Sequence, residues 1–174
     1  MKIFLVGFMG CGKSYVGKRL ATKFGFQFVD IDNIIENTEG STIAQIFANQ
    51  GETFFRQLES DTLKRLEKWD NIVIATGGGA ACFHDNMQWM NEKGVTIYLK
   101  ATPELLLSRL KSETEHRPIL NGRTDLDLLE FIEMKLAERS QFYERALVTV
   151  EQLTDGDQII DDIVNALYNR ASAN

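Results

Sequence analysis

Gly7-Phe8-Met9-Gly10-Cys11-Gly12-Lys13-Ser14 follows directly on the apolar run Ile3-Phe4-Leu5-Val6. The spacing G-x-x-x-x-G-K-S is that of a phosphate-binding loop. The run before it reads as a strand. Behind it, Val16, Leu20, Ala21 and Phe24 recur at the spacing of a half-buried helix over residues 14–24. The glycine-rich turn is therefore expected at a helix N-terminus, where unpaired backbone N–H groups and the positive end of the helix dipole face a polyphosphate. There Lys13 would reach the β- and γ-phosphates as a point charge, and the Ser14 hydroxyl would ligate the Mg²⁺ that bridges them.

The rest of the composition narrows the class. A chain of 174 residues, 44% hydrophobic and 25% charged, is large enough for one well-buried core and is expected to form a single domain over 1–174. Its net charge of −6 argues against non-specific binding to nucleic acid or to an anionic membrane, so an anionic ligand must be held by a few placed cations. Cys11 and Cys82 have neither metal-ligand spacing nor a disulfide framework, which suits a reducing cytoplasm, and Cys11 reads as a small filler in the loop. The apolar run after Lys2 is too short for a secretory signal and lacks a small-residue cleavage site, so neither export nor a membrane span is expected.

Taken in order, a second strand at 27–29 ends in Asp30-Ile31-Asp32-Asn33. Residues two apart on an extended end point to one side, so Asp30 and Asp32 can face one site and either hold Mg²⁺ or accept a hydroxyl proton. Capping of a helix over 34–38 is the competing use. Helices are expected from Gly40-Ser41-Thr42 and again from Gly51 to about Trp69, an insertion above the carboxyl ends of the strands. On the second, Arg56 and Glu59 stand three apart, so Glu59 can orient the guanidinium, a surface ion pair of little energetic weight being the default. A third strand at 71–75 is nearly all apolar and runs into Thr76-Gly77-Gly78-Gly79, which either lets a ligand touch the backbone or is a plain turn. A fourth strand is expected at 95–99. Thr102-Pro103-Glu104 then starts a helix to about Lys111, with an N-cap, a proline at the first helical position and an early acid. Residues 112–124 are polar and aperiodic and read as a lid. A helix at 125–145, a fifth strand at 146–150 and a closing helix at 159–168 complete an alternation that predicts one parallel sheet with helices on both faces and right-handed crossovers.

These motifs together resemble the shikimate kinase family over nearly the whole chain. They are the phosphate loop, Asp30-x-Asp32, Gly51-Glu52 with Phe54-Phe55-Arg56-x-x-Glu59, the triple glycine, Arg117-Pro118-Ile119-Leu120, and Arg139 with Tyr143. The resemblance implies a three-layer P-loop kinase fold like that of the nucleoside monophosphate kinases, with five parallel strands, a substrate-binding insertion at about 33–61 and the lid at about 112–124. It implies ATP-dependent phosphorylation of the 3-hydroxyl of shikimate, in the route to chorismate and the aromatic amino acids, by a cytoplasmic monomer using Mg²⁺. By match to the family's motifs, Lys13, Asp32 and Arg117 are catalytic. Gly10, Cys11, Gly12, Lys13, Ser14, Tyr15, Arg109 and Arg117 belong to the nucleotide side, and Ser14 with Asp30 to the metal. Asp32, Arg56, Gly77, Gly78, Gly79 and Arg139 belong to shikimate, the two arginines clamping its carboxylate. His84 and His116 carry no family role. Two positions depart from the family's pattern: Ser140-Gln141 stands where a proline is common, and Gln152-Leu153-Thr154 lacks an arginine some members place beside the adenine. The competing classes are another small-molecule or nucleotide kinase on the same core, and a nucleotide-switched binding module. Such a module needs the phosphate loop but not Asp32, Arg56, Arg117 and Arg139 together.

Overall fold

Side chains of the first strand, β1 (Lys2–Val6), alternate between two separate cores: Ile3 and Leu5 pack on one side, Phe4 and Val6 on the other, all fully buried. A strand covered on both faces reads as a continuous apolar run, and the sheet around it accounts for the cover. The structure, a computed structural model, describes residues 1–112, 124–152 and 158–172. Among them β1, β2 (Gln27–Asp30), β3 (Ile72–Ala75), β4 (Val95–Ala101) and β5 (Val148–Gln152) form one sheet in the order β2-β3-β1-β4-β5. Every pairing is parallel.

One face is covered by α1 (Lys13–Phe24), α5 (Pro103–Ser112), α6 (Asp125–Tyr143) and α7 (Gln158–Ser172), through residues such as Leu20, Leu106, Ile132 and Ile163. The other is covered by α2 (Ile31–Glu39), α3 (Ile43–Arg65) and α4 (Asn86–Lys93), through Ile35, Phe55, Leu63 and Met90. The molecule is thus a three-layer α/β fold of the P-loop kinase type. No helix among the described residues is long and apolar enough to cross a membrane.

Local chemistry accounts for most element ends. Thr42 caps α3 and Thr124 caps α6, each in a reciprocal capping box. Pro103 opens α5, and Thr102 Oγ1 accepts from Leu105 N at 3.3 Å. The expected break at Gly51 is present within α3: the backbone leaves helical geometry there, with φ of 82° and ψ of 172° that suit a residue without Cβ, and two helical stretches meet at the kink.

Three expectations require correction. Helix α2 begins at Ile31 rather than near residue 34, because Asp30 itself caps it by accepting from Asp32 N at 3.1 Å. Asp32 therefore lies in a helix's first turn, and strand alternation does not explain how it joins Asp30. The fifth strand begins at Val148, not Ala146: the amides of Glu144, Arg145 and Ala146 are spent on carbonyls of Ser140, Phe142 and Tyr143 as α6 unwinds. Finally, Arg56 and Glu59 are not on the surface, being only 8% and 1% exposed.

Candidate active site

Parallel register sets the site. Ala75 pairs with Leu5 on one side and Asp30 on the other, so β1, β2 and β3 end at one level and release the phosphate loop, α2 and the triple glycine along one edge. Ligands bind outside the carboxyl ends of strands in such sheets.

In the phosphate loop, Gly10 and Gly12 adopt φ of 79° and 84°, conformations that only glycine enters without strain. Lys13 Nζ donates to the carbonyls of Gly7 at 2.8 Å and Phe8 at 2.9 Å, and lies 3.6 Å from Cys11 Sγ. The ammonium is thereby held against the loop's own backbone. Ser14 Oγ donates to Asp30 Oδ2 at 2.5 Å. A hydroxyl and a carboxylate at one point are hard oxygen donors of the kind Mg²⁺ takes, and Mg²⁺ completes its shell with phosphate and water rather than a protein cage. No group of three or more His, Cys, Asp or Glu side chains suited to a metal occurs among the described residues. Tyr15, next on α1, is 46% exposed, with the Arg19 guanidinium 3.7 Å from its ring centroid.

On the far side of the edge, the triple glycine is framed by charge. Arg56 Nη1 donates to Glu59 Oε2 at 2.5 Å, and Arg56 Nε and Nη2 donate to Glu52 Oε1 at 3.2 and 3.0 Å. The guanidinium carbon lies 4.4 Å from the Phe83 ring centroid and 5.2 Å from that of Phe55. Arg139 Nη1 reaches the Gly78 carbonyl at 3.5 Å, and the Tyr143 hydroxyl donates to the same oxygen. Space at the glycines is fully used. A Cβ on Gly79 would lie 2.6 Å from Arg56 Nη1, and one on Gly77 would lie 2.2 Å from Glu59 Oε1 and 3.0 Å from Asp32 Oδ1. Asp32, Arg56 and Arg139 therefore converge on Gly77, Gly78 and Gly79.

The electrostatics follow from burial. Desolvation raises the Glu59 pKa most and the neighbouring Asp32 charge adds to it, against the pull of Arg56 and Arg139, leaving it at about 7. For Arg56 burial opposes the charge, and Glu59 with Glu52 more than offsets it, holding the guanidinium above its ordinary value. Burial pushes the Cys82 thiol up to about 11, and it also keeps the Tyr143 phenol protonated as a donor.

Arg109 meets the phosphate loop from outside, its Nη1 3.4 Å from the Gly10 carbonyl and 3.0 Å from Gln152 Oε1. Arg117, His116, most of the expected lid and Leu153-Thr154 lie outside the described residues. Phe83 escaped the sequence reading, and the partners of Glu52 and Gln152 escaped it too, since these two entered it only within a family motif and at a departure from the family's pattern. Glu52 stands four residues before Arg56 on a helix, which is a legible pairing. An amide such as Gln152 and a ring such as Phe83 acquire their partners only through the fold.

The sequence profile described as shikimate kinase matches residues 9–168. A shikimate kinase of Parabacteroides distasonis is 43% identical over 169 residues, covering 95% of this chain and 96% of its own length. The crystal structure of shikimate kinase from Bacteroides thetaiotaomicron superposes with a TM-score of 0.92 at 39% identity, covering 97% of this chain and 98% of that one. That of shikimate kinase from Acinetobacter baumannii in complex with shikimate gives 0.86 at 33% identity, covering 97% and 93%. With a phosphate loop, an acid beside its serine and two arginines at a triple glycine all in place, and relatives this similar along their whole length, the chain belongs to the shikimate kinase family.

Proposed function

We propose that this protein transfers the γ-phosphoryl group of ATP to the 3-hydroxyl of shikimate, yielding ADP and shikimate 3-phosphate. The observation that carries the reading is the placement of Arg56 and Arg139 at Gly79 and Gly78, on the strand edge that also releases the phosphate loop. Two planar forks suit a carboxylate better than ammonium groups, because each donates bidentately.

In this reading the amides of Gly10 to Tyr15 cradle the phosphates, and Lys13 exchanges its loop carbonyls for phosphate oxygens. Ser14 and Asp30 would hold Mg²⁺, which would neutralise negative charge on the phosphates. Asp32 receives or steers the proton of the attacking hydroxyl. Phosphoryl transfer passes through a loose transition state, so catalysis is mainly in-line positioning and cations on the phosphoryl oxygens. Arg117 is assigned to that charge. The segment at about 33–61 serves as the shikimate-binding insertion and that at about 112–124 as the lid. One chain carries every group named, so we place the activity in a monomer. The thiols Cys11 and Cys82 are free, as suits a reducing cytoplasm.

The test is ADP release with Mg²⁺ and a panel of shikimate, gluconate and nucleoside monophosphates, with the product's phosphate position read by NMR. Metal-dependent turnover led by shikimate and a 3-phosphate product is expected. A different leading acceptor overturns the reading.

A further inference from the structure

Gln152, the last residue of β5, is a neutral side chain only 5% exposed, 141 positions along the chain from the residue it holds. Its Nε2 donates to the Cys11 carbonyl at 2.9 Å, and its Oε1 accepts from Arg109 Nη1 at 3.0 Å. The same Arg109 nitrogen donates to the Gly10 carbonyl at 3.4 Å. Two successive carbonyls of the phosphate loop are thus gripped from behind by one amide and one guanidinium, which are bonded to each other.

The chemistry of the side chain fits both neighbours at once. A guanidinium only donates and a peptide carbonyl only accepts, so the group between them must accept on one side and donate on the other. A carboxylate would face the Cys11 carbonyl with a second acceptor, and a lysine would face Arg109 with a second cation. The amide satisfies both in one orientation. In a planar trans peptide the C=O and the next N–H point in opposite directions. Fixing the Cys11 carbonyl toward Gln152 therefore aims the Gly12 N–H away from Gln152.

We propose that Gln152 is a positioning residue for the nucleotide: it locks the Cys11–Gly12 peptide and ties Arg109 to it, so that loop amide and guanidinium meet a nucleoside polyphosphate as one preset unit. The inference rests on the ATP-dependent reading above and adds to it the element that prearranges the nucleotide side.

The experiment measures ADP affinity by calorimetry in the wild type, Gln152→Met, Arg109→Met and the double variant, alongside the KM for shikimate and thermal unfolding of each. Met keeps the volume and removes both hydrogen bonds. Gln152→Met is expected to raise the Kd for ADP about tenfold, one net hydrogen bond and a carbonyl left unmade, with the KM for shikimate within about twofold. The penalties of Gln152→Met and Arg109→Met should combine to less than their sum, since each removes the same contact. An ADP Kd unchanged in Gln152→Met, equal weakening toward ADP and shikimate, or additive penalties would each overturn the inference. Should Gln152→Met fail to fold, Gln152→Asn, one methylene shorter and able to reach one partner only, carries the same comparison with the same outcomes. A wild type that binds no ADP would remove the ATP-dependent reading itself.

Discussion

Arg56 and Glu59 form an ion pair at 2.5 Å in which the arginine is 8% and the glutamate 1% exposed, packed so close to Gly79 and Gly77 that a Cβ there would meet them at 2.6 and 2.2 Å. A buried pair of this kind is weak evidence for stability, because desolvating two charges costs about as much as their attraction returns. Its value is geometric. Glu59 fixes one edge of the guanidinium fork, and the guanidinium carbon lies over the ring of Phe83.

Replacing Arg56 or Arg139 by Lys keeps the charge and removes the fork. Losing one charge-assisted hydrogen bond costs about 1.5 to 3 kcal/mol, or roughly ten- to a hundredfold in kcat/KM for shikimate. The Kd for ATP should stay near that of the wild type. Steady-state kinetics with each substrate varied in turn checks this, and equal damage to ATP binding would move the arginines to the nucleotide side.

Glu59 makes stability depend on pH. Its pKa is about 7 in the folded protein against an ordinary 4.5, so between those values the folded state holds a proton that the unfolded state has lost. Stability from this group therefore falls as pH rises through that window and levels off above it. Glu59→Gln abolishes the effect. Denaturant unfolding at several pH values should show the variant gaining on the wild type from about pH 4.5 to 7; parallel curves would mean that Glu59 ionises normally.

Glycine substitutions should separate function from fold. In Gly79→Ala the new methyl meets the end of a flexible side chain, Arg56 Nη1 at 2.6 Å, so the guanidinium shifts and the KM for shikimate rises while the melting temperature changes little. Gly94→Ala meets backbone instead, the Lys2 carbonyl at 2.5 Å, which cannot step aside. Overpacking costs about 1 to 3 kcal/mol. Calorimetry should show that loss with the shikimate KM unchanged.

Arg117 is assigned to the transition state alone. Arg117→Ala should lower kcat by on the order of a thousandfold, the worth of arginines used in this way, and leave the Kd for ATP without shikimate within about threefold. Rapid-quench kinetics with equilibrium nucleotide binding measures both. A loss of ATP affinity in step with the loss of rate would place the residue in ground-state binding.

What the sequence determined is what a few neighbouring residues decide. Phosphate-loop spacing, the apolar β1 and the start of α5 at Thr102-Pro103 are legible because conformational preference, capping and alternation act within a turn or a strand. Ser14 and Asp30 are paired by the family resemblance rather than by local spacing, and the fold makes their contact at 2.5 Å across 16 residues. Local logic went astray at Asp32, where one cap at Asp30 starts the helix three residues early, and at Ala146, where the unwinding α6 takes the amides a strand would need. Tertiary structure alone decided that Arg56 and Glu59 are buried, because exposure depends on Phe55, Phe83 and the triple glycine arriving from other parts of the chain. It alone joined Gln152 to Cys11. Strand order brings β5 beside β4 and sets its end against the loop after β1, and no pattern within one segment encodes which segment will face it.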